Sequence, residues 1–486
     1  MRNKKHKIGR RNFLTGLASV PVIGAFQTRT NISNEVRRLR TGNKSETIRV
    51  GIIGFGFRGE QLARAINFAH PDWIRHQEEA AKITPGHRVL KDYYEQDALN
   101  IELGGICDVF DIRVERGLAA AGKSAKGYSH YQELLASEDI DAVIIASPDH
   151  WHARMAIDAA NAGKHIYLEK CMTRTVGEAI ALRDAVKKSD VVFQLGHQGR
   201  QRDLNLKAME LIENGTLGKI TLIETTTNRN DPYAAWVWPI HENASNKSID
   251  WDLFQGPAPE KVNFTPERFS RWRCYWAYGT GMSGDLLSHE YDTVNSILNL
   301  GIPSSATASG GIYFYNDGRE VPDVFHANYE YQDRELTLIY SGTLANGIPR
   351  GTLIMGHDAS LELGRSLTVW ADKQSTKYKS RIEAGYINPS APIVRYDAES
   401  KGVDAVTSAT AKYFADRGLM HTYRDGQRVD TTNLHIAEWL NCIRNGGKTS
   451  CNIDQGFQEA ITAHMATTSF LEGRRIYWDP INEKIV

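Results

Sequence analysis

The chain has 486 residues, too many for one compact hydrophobic core, so two domains are the default expectation. Hydrophobic residues make up 41% and charged residues 24%, a balance ordinary for a globular enzyme. Lysine plus arginine equals aspartate plus glutamate at 58 each, so no basic excess draws the chain to nucleic acid or acidic lipid, and both partners are disfavoured.

The N-terminus places Arg10-Arg11-Asn12-Phe13-Leu14 after a basic stretch and before a short apolar run ending at Phe26. The run is too short to span a bilayer. Its order resembles a twin-arginine export signal and implies a periplasmic protein with no membrane insertion. Residues 27–46 then read as a polar linker.

Ile48–Ile53 is a β-branched run ending in glycine, as a buried parallel strand should be. A helix is expected over Glu60–Ala69, and a charged, aromatic helical excursion over 70–100. Further strands are expected at Gly105–Asp108, Ala142–Ala146 and His165–Leu168, separated by helices at Val114–Ala121, His152–Ala162 and Val176–Lys188. Strands alternating with helices imply an α/β fold with a doubly wound parallel sheet. After Arg200 the texture changes. A helix at Leu204–Asn214 is followed by strand-like runs at Ile220–Thr227, Ala308–Tyr315, His326–Tyr331, Leu336–Tyr340, Gly351–Met355 and Leu367–Trp370. Few helices separate them, so this second sheet should be largely antiparallel. Two helices, Leu434–Arg444 and Gln455–Glu472, close the chain. The expected domains are therefore 47–200 and 201–486, after an export segment and linker at 1–46.

Five cysteines occur, with no C-x-x-C pair and no Cys/His spacing suited to zinc. The chemistry lies elsewhere. Gly54-Phe55-Gly56-Phe57-Arg58-Gly59 follows a buried strand and opens a helix, the context in which G-x-G-x-x-G binds a dinucleotide. The first glycine makes the turn, the second admits the pyrophosphate, and the third packs helix on strand. Phosphates would lie on the helix N-terminal amides. Asp108, ending the next strand, suits the ribose hydroxyls of NAD and would repel a 2′-phosphate; its distance from the glycines reflects the 70–100 excursion, and Asp111 competes for the role. Ser147, Pro148, His150 and His152 follow the strand at Ala142–Ala146, where doubly wound folds bind ligands. The two histidines would touch the nicotinamide ribose or the substrate. Glu169 and Lys170 end the next strand, placing a lysine beside the nicotinamide to bond a substrate hydroxyl. Asp285 and His289 stand four apart after a glycine-rich approach, on one helical face. A neutral imidazole is matched to take the hydroxyl proton as hydride leaves. That spacing also suits two metal ligands, but no further ligand is evident, so no metal is expected.

Together these elements resemble the Gfo/Idh/MocA oxidoreductase family. The resemblance is carried by Gly54–Gly59, the run Ala146 to His152, Ala162-Gly163-Lys164-His165, Glu169-Lys170 and Asp285-x-x-x-His289. It implies a Rossmann domain joined to an α+β domain with an open, mostly antiparallel sheet. It also implies NAD as cofactor, Lys170, Asp285 and His289 as catalytic residues, and a homo-oligomer. Family members usually carry proline after the Glu-Lys pair; Cys171 stands there in this chain and leaves the backbone beside Lys170 less constrained. Gln198 and Arg200, where the chain leaves the first domain, and Arg273, Tyr275 and Trp276 are the candidate sugar contacts. The expected activity is hydride transfer from a carbinol of a sugar, glycoside or cyclitol to a tightly held NAD. The alternative is a glycosidase that works by transient oxidation, elimination, hydration and re-reduction. Relatives using that route tend to lack the Glu-Lys pair, which this chain keeps, so dehydrogenation is the first reading.

Overall fold

The computed structural model describes residues 47–122, 125–397, 421–424 and 427–486. The twin-arginine segment and linker expected at 1–46 lie outside the described residues.

Six parallel strands form the first sheet: β1 (Ile48–Ile53), β2 (Ile101–Cys107), β3 (Lys126–Tyr128), β4 (Ala142–Ile145), β5 (His165–Leu168) and β6 (Phe193–Leu195). Their order is β3-β2-β1-β4-β5-β6, the doubly wound arrangement with a switch point between β1 and β4. β1 and β4 are buried on both faces, which is why they read as unbroken β-branched runs. The 70–100 excursion forms two helices, Pro71–Ile83 and Val89–Glu95. The first starts on Pro71, with the His70 ring accepting the Asp72 amide. The pair is pinned by the Trp73 and Tyr93 rings, 5.4 Å apart, and by the Tyr93 hydroxyl donating to the Asn67 carbonyl.

The second sheet has ten strands. Its members are β7 (Ile220–Asn228), β8 (Ser305–Gly311), β9 (Val324–Tyr331), β10 (Leu336–Thr343), β11 (Thr352–Gly356), β12 (Ala359–Leu363), β13 (Leu367–Ala371), β14 (Val394–Tyr396), β17 (Ile476–Asp479) and β18 (Lys484–Ile485). Between β14 and β17 in the chain, β15 (His421–Arg424) and β16 (Gln427–Asp430) pair as a separate hairpin. The large sheet is antiparallel except where β10 lies parallel to β7. β10 alternates buried and half-buried residues along its whole length, the mark of a sheet with one covered face. Helix Ile453–Glu472 lies on that covered side: the Tyr329 hydroxyl of β9 bonds the Thr462 carbonyl, and Ser469 takes the Ala308 amide of β8. The strand expected to reach Tyr315 stops at Gly311. The Asp323 carboxylate accepts the amides of Tyr313, Phe314 and Tyr315 and turns the chain out of the sheet. The strands β3, β6, β12 and β14 to β18 are additions to the expected set.

The boundary expected at 200/201 separates the two sheets but not the cores. Helix Thr431–Asn445 returns to the first sheet, where Ile436, Trp439 and Leu440 join one buried cluster with Ile52, Ile144 and Tyr167. Gln194 donates to the His435 carbonyl and Trp439 to the Val192 carbonyl, closing the β6 edge. Burying three such side chains contributes about 1.5–3 kcal/mol each. No helix among the described residues is long and apolar enough to cross a membrane.

Candidate active site

The glycine loop follows β1 directly. Gly54 has φ +90°, and a Cβ there would lie 2.7 Å from the Ala146 carbonyl carbon of the neighbouring strand end. A Cβ at Gly59 would lie 2.1 Å from the Gly54 carbonyl oxygen. Neither position tolerates a side chain, so the loop holds its amides in an open backbone cradle. The Phe55 amide donates to Asp108 Oδ2 at 2.7 Å and the Phe110 amide to Oδ1 at 3.0 Å, which ties the end of β2 to the loop. Burial pushes the Asp108 carboxyl up, against the pull of Arg113, whose Nη1 lies 3.9 Å away. Arg113 also covers the Phe269 ring at 4.8 Å.

A cleft of about 380 Å³ opens on this loop. Gly54, Phe55, Gly56, Phe57, Arg58, Asp108, Ser147, Pro148, Glu169 and Lys170 line it from the first sheet. Trp238, His241, Phe254, Phe269, Trp272 and Arg273 line the opposite wall. A glycine cradle with a carboxylate at the next strand end, and a mostly apolar wall opposite, is the donor set that NAD requires. The residues present fit that cofactor.

Lys170, which lines the cleft, meets Asp285 behind the lining. Lys170 Nζ lies 2.5 Å from Asp285 Oδ1, with both side chains buried. Arg273 Nε donates to the same oxygen at 3.0 Å, and Trp236 Nε1 donates to Oδ2 at 2.7 Å. Burial works against the Lys170 ammonium, but the Asp285 carboxylate outweighs it and raises the pKa above the ordinary lysine value. Lys170 is therefore a held cation that can donate to an oxygen placed beside it.

Asp285 lies in a π-type turn, Ser283–Leu287, which runs straight into helix Ser288–Leu298. Such wide turns recur at functional sites, where they re-aim side chains. Asp285 meets the end of β5 through Lys170. His289 meets the segment leaving β6, its ring 5.5 Å from that of His197 at 84°. β5 and β6 are adjacent, so both helix residues address the carboxyl edge of one strand pair.

The other expected residues divide. Arg58, which lines the cleft, donates to Glu169 at 2.8 Å and to Gln198 behind the lining at 3.1 Å. His150 and His152 are turned into the interior instead of the cleft. His150 Nε2 contacts the Phe254 carbonyl at 2.7 Å, and burial pushes its pKa down to about 3. His152 sits between the carbonyls of Cys171 and Ser147. Arg200 is likewise committed inside, to Asp292 and the Ser450 carbonyl. Tyr275 lies under the Arg268 guanidinium, and Trp276 bonds Glu320, so both stand outside the cleft. They follow the short 3-10 turn Trp272–Cys274, which leaves Trp272 and Arg273 facing the cleft. Cys171 is buried, its thiol pushed well up by burial, which gives it no reactive character. No disulfide joins the cysteines among the described residues. Trp236, Trp238 and His241 are site residues that sequence reasoning missed; the Trp-x-Trp-Pro run in a segment without periodicity was the available signal.

Residues 48–197 match the family profile described as an oxidoreductase family NAD-binding Rossmann fold, and residues 248–477 match its C-terminal alpha/beta domain. A glycosyl hydrolase family 109 protein of Shewanella sp. is 27% identical over 318 residues, 61% of this chain and 56% of that protein. A levoglucosan dehydrogenase of Pseudarthrobacter phenanthrenivorans is 29% identical over 193 residues, 38% of this chain and 42% of that protein. The chain thus spans about half the length of the curated relatives it matches. The solved structure of a levoglucosan dehydrogenase in complex with NADH superposes with a TM-score of 0.59 at 19% identity, covering 89% of this chain and 99% of that one, a likeness of fold.

Proposed function

Because the chain belongs to the Gfo/Idh/MocA oxidoreductase family, with its NAD-binding and C-terminal domains both present, we propose that it oxidises a carbinol of a sugar or glycoside. The observation that carries this reading is the buried Lys170–Asp285 pair, whose lysine lines the same cleft as the glycine cradle. NAD, when bound, supplies the hydride acceptor. Lys170 donates to the reacting oxygen and stabilises the negative charge that grows on it. Asp285 holds Lys170 and Arg273 in place, and His289 takes the hydroxyl proton. Trp238 and Trp272 offer aromatic faces for the apolar side of a sugar ring. A mixture of purified protein with free sugars and chromogenic glycosides, without added cofactor, tests this: nicotinamide absorbance and aglycone release are followed together. Stoichiometric reduced cofactor without aglycone supports dehydrogenation, and no response to any carbinol refutes it.

The similarity to glycosyl hydrolase family 109 proteins favours a second reading, a redox-neutral glycosidase on the same residues. Repeated aglycone release without net reduction would establish it. We further propose export by the twin-arginine route, on Arg10, Arg11 and the apolar run that follows. A double Arg→Lys variant should accumulate in the cytoplasm; unaltered secretion would sink that claim. A homo-oligomer is proposed on the half-buried face of the large sheet and is read by sedimentation.

A further inference from the structure

Behind His289 lies a closed set of charged side chains that the proposed reaction does not use. His197 Nε2 is 2.5 Å from Glu459 Oε2, and its Nδ1 is 3.7 Å from Asp292 Oδ2. Arg200 donates to Asp292 Oδ1 through Nε at 2.8 Å and through Nη2 at 2.6 Å. All four side chains are nearly fully buried. They come from three places: the segment after β6, helix Ser288–Leu298 and helix Ile453–Glu472. His197, Asp292 and Glu459 bring ligand atoms within 4.8 Å of one another, as a cation site would. Arg200 already occupies Asp292, however, and His197 with Glu459 forms a second buried pair. The set meets the proposed chemistry through the edge-on ring of His289.

We propose that His197 is a positioning residue for His289, pinned from behind by Glu459 and the Asp292–Arg200 pair so that it fixes the plane and protonation of the His289 ring. The inference rests on the reading of His289 as the base. Geometry is its ground: a ring hydrogen-bonded to Glu459 through Nε2, with the Asp292 carboxylate 3.7 Å from Nδ1, is restrained from turning, and an 84° edge contact limits what the ring against it can do. Electrostatics points the same way. Burial disfavours a charged His197, but Asp292 and Glu459 outweigh it and raise its pKa. A second proton on the adjoining imidazole then meets a like charge. Other charged groups face the set. Lys170 acts on Glu459, the His435 ring on helix Thr431–Asn445 feels His197, and the Cys451 thiol lies 3.8 Å from Asp292. In the turn before the helix of His289, Asp285 is committed to Lys170, and on that helix Glu290 accepts from Thr225 and Thr227.

The test uses the full protein with its bound cofactor. His197→Gln should lower kcat by about 10- to 100-fold, as a displaced base does, while KM and cofactor retention stay within twofold. Without the imidazolium, Glu459 is left as an uncompensated anion, so the acid limb of the kcat profile should move to higher pH. Glu459→Gln, which preserves shape should His197→Gln fail to fold, should lower kcat in the same sense. The deciding comparison is made in a His289→Ala background, by single-turnover cofactor reduction. There both substitutions should have no further effect. Unchanged kcat and acid limb in both variants would overturn the proposal, as would a loss that persists in full on top of His289→Ala. Normal turnover by His289→Ala alone would instead remove His289 as the base, and the inference with it.

Discussion

Replacing Asp285 with Asn removes one charge and almost no volume, and its consequences follow from the contacts of the carboxylate. Oδ1 takes Lys170 and Arg273, and Oδ2 takes Trp236. An amide has one acceptor oxygen, so whichever way it turns, at least one of three buried donors faces an NH₂ group. An orphaned buried donor costs about 1–3 kcal/mol, and a buried ion pair broken on one side about 3–5 kcal/mol. A loss of roughly 3–5 kcal/mol is therefore expected in all, since the charge and hydrogen-bond terms overlap. For a domain of this size that is on the order of a 5–10 °C drop in melting temperature. The dependence on pH separates this cause from mere repacking. In the native protein the Lys170 pKa is raised. Its stabilising contribution is fully present below the unfolded lysine value and lost only as pH rises through the folded one, so it is constant near neutrality. Without Asp285 burial is unopposed except by the more distant Asp149 and Cys171, and the folded pKa falls below the unfolded value. The unfolded state then binds more protons, so the variant's stability rises with pH, by about 1.4 kcal/mol per unit above its new folded pKa. Thermal melts by circular dichroism at pH 6 and pH 9 read this directly. The gap between native and variant protein should narrow at the higher pH. A gap that stays constant, or a variant as stable as the native protein at pH 6, would refute the reasoning. Turnover should fall with Lys170 no longer charged.

Three further outcomes are expected. Gly59→Ala should abolish cofactor retention with little substrate-side change, because the new Cβ would sit 2.1 Å from the Gly54 carbonyl oxygen; equilibrium dialysis against NAD reads it. Asp108→Ala should weaken NAD and also loosen the glycine loop, since it removes the acceptor of the Phe55 amide; unchanged retention would move the ribose role elsewhere, with Asp111 the alternative. Glu290 is pushed up to about 7 by burial, against Arg202 and its threonine contacts. A raised carboxyl contributes fully below the unfolded value and loses stability as pH rises toward the folded one, so Glu290→Gln should stabilise the protein by roughly 1–3 kcal/mol at pH 8 and hardly at all at pH 4.5. Equal effects at both values would exclude the assignment.

What could be read from the chain was local. β1, the glycine loop, β4, β5 and Glu169-Lys170 are contiguous words whose chemistry depends on neighbours a few residues away. The long gap between the glycines and Asp108 was legible as an insertion, because helices carry their own periodicity. The site's supports were not legible. Glu459 reaches His197 across 262 residues, and Trp236 reaches Asp285 across 49 from a stretch with no period at all. Tyr275 and Trp276 fall outside the cleft lining for the same reason: in an irregular turn, sequence adjacency to Arg273 says nothing about which way a side chain points. His150 looked like a ligand residue because it follows a strand end. Its neighbours Phe254 and Tyr278, which make it a packed ring, lie more than 100 residues downstream in the sequence, and the Phe254 carbonyl takes both its Nε2 and the Trp151 indole.

That last contact bears on how the cleft is built. The stretch around Phe254 and Tyr278 is fastened to the region after β4, since the His150 amide donates to the Tyr278 carbonyl. The same stretch is fastened to the end of β2 by an antiparallel bridge between Phe110 and Ile249, flanked by the Asp250 amide donating to the Val109 carbonyl and the Asp111 amide to the Ser248 carbonyl. These two attachments fall on either side of the glycine loop, beside Asp108 and beside Pro148. The wall carrying Phe254, Phe269 and Trp272 is therefore tied to both banks of the cofactor cleft, and to carry it away at each turnover would break main-chain bonds at both. A wall so fastened favours a cofactor that stays in place while sugars come and go past Trp238, as either proposed reaction would require if the cofactor is not exchanged.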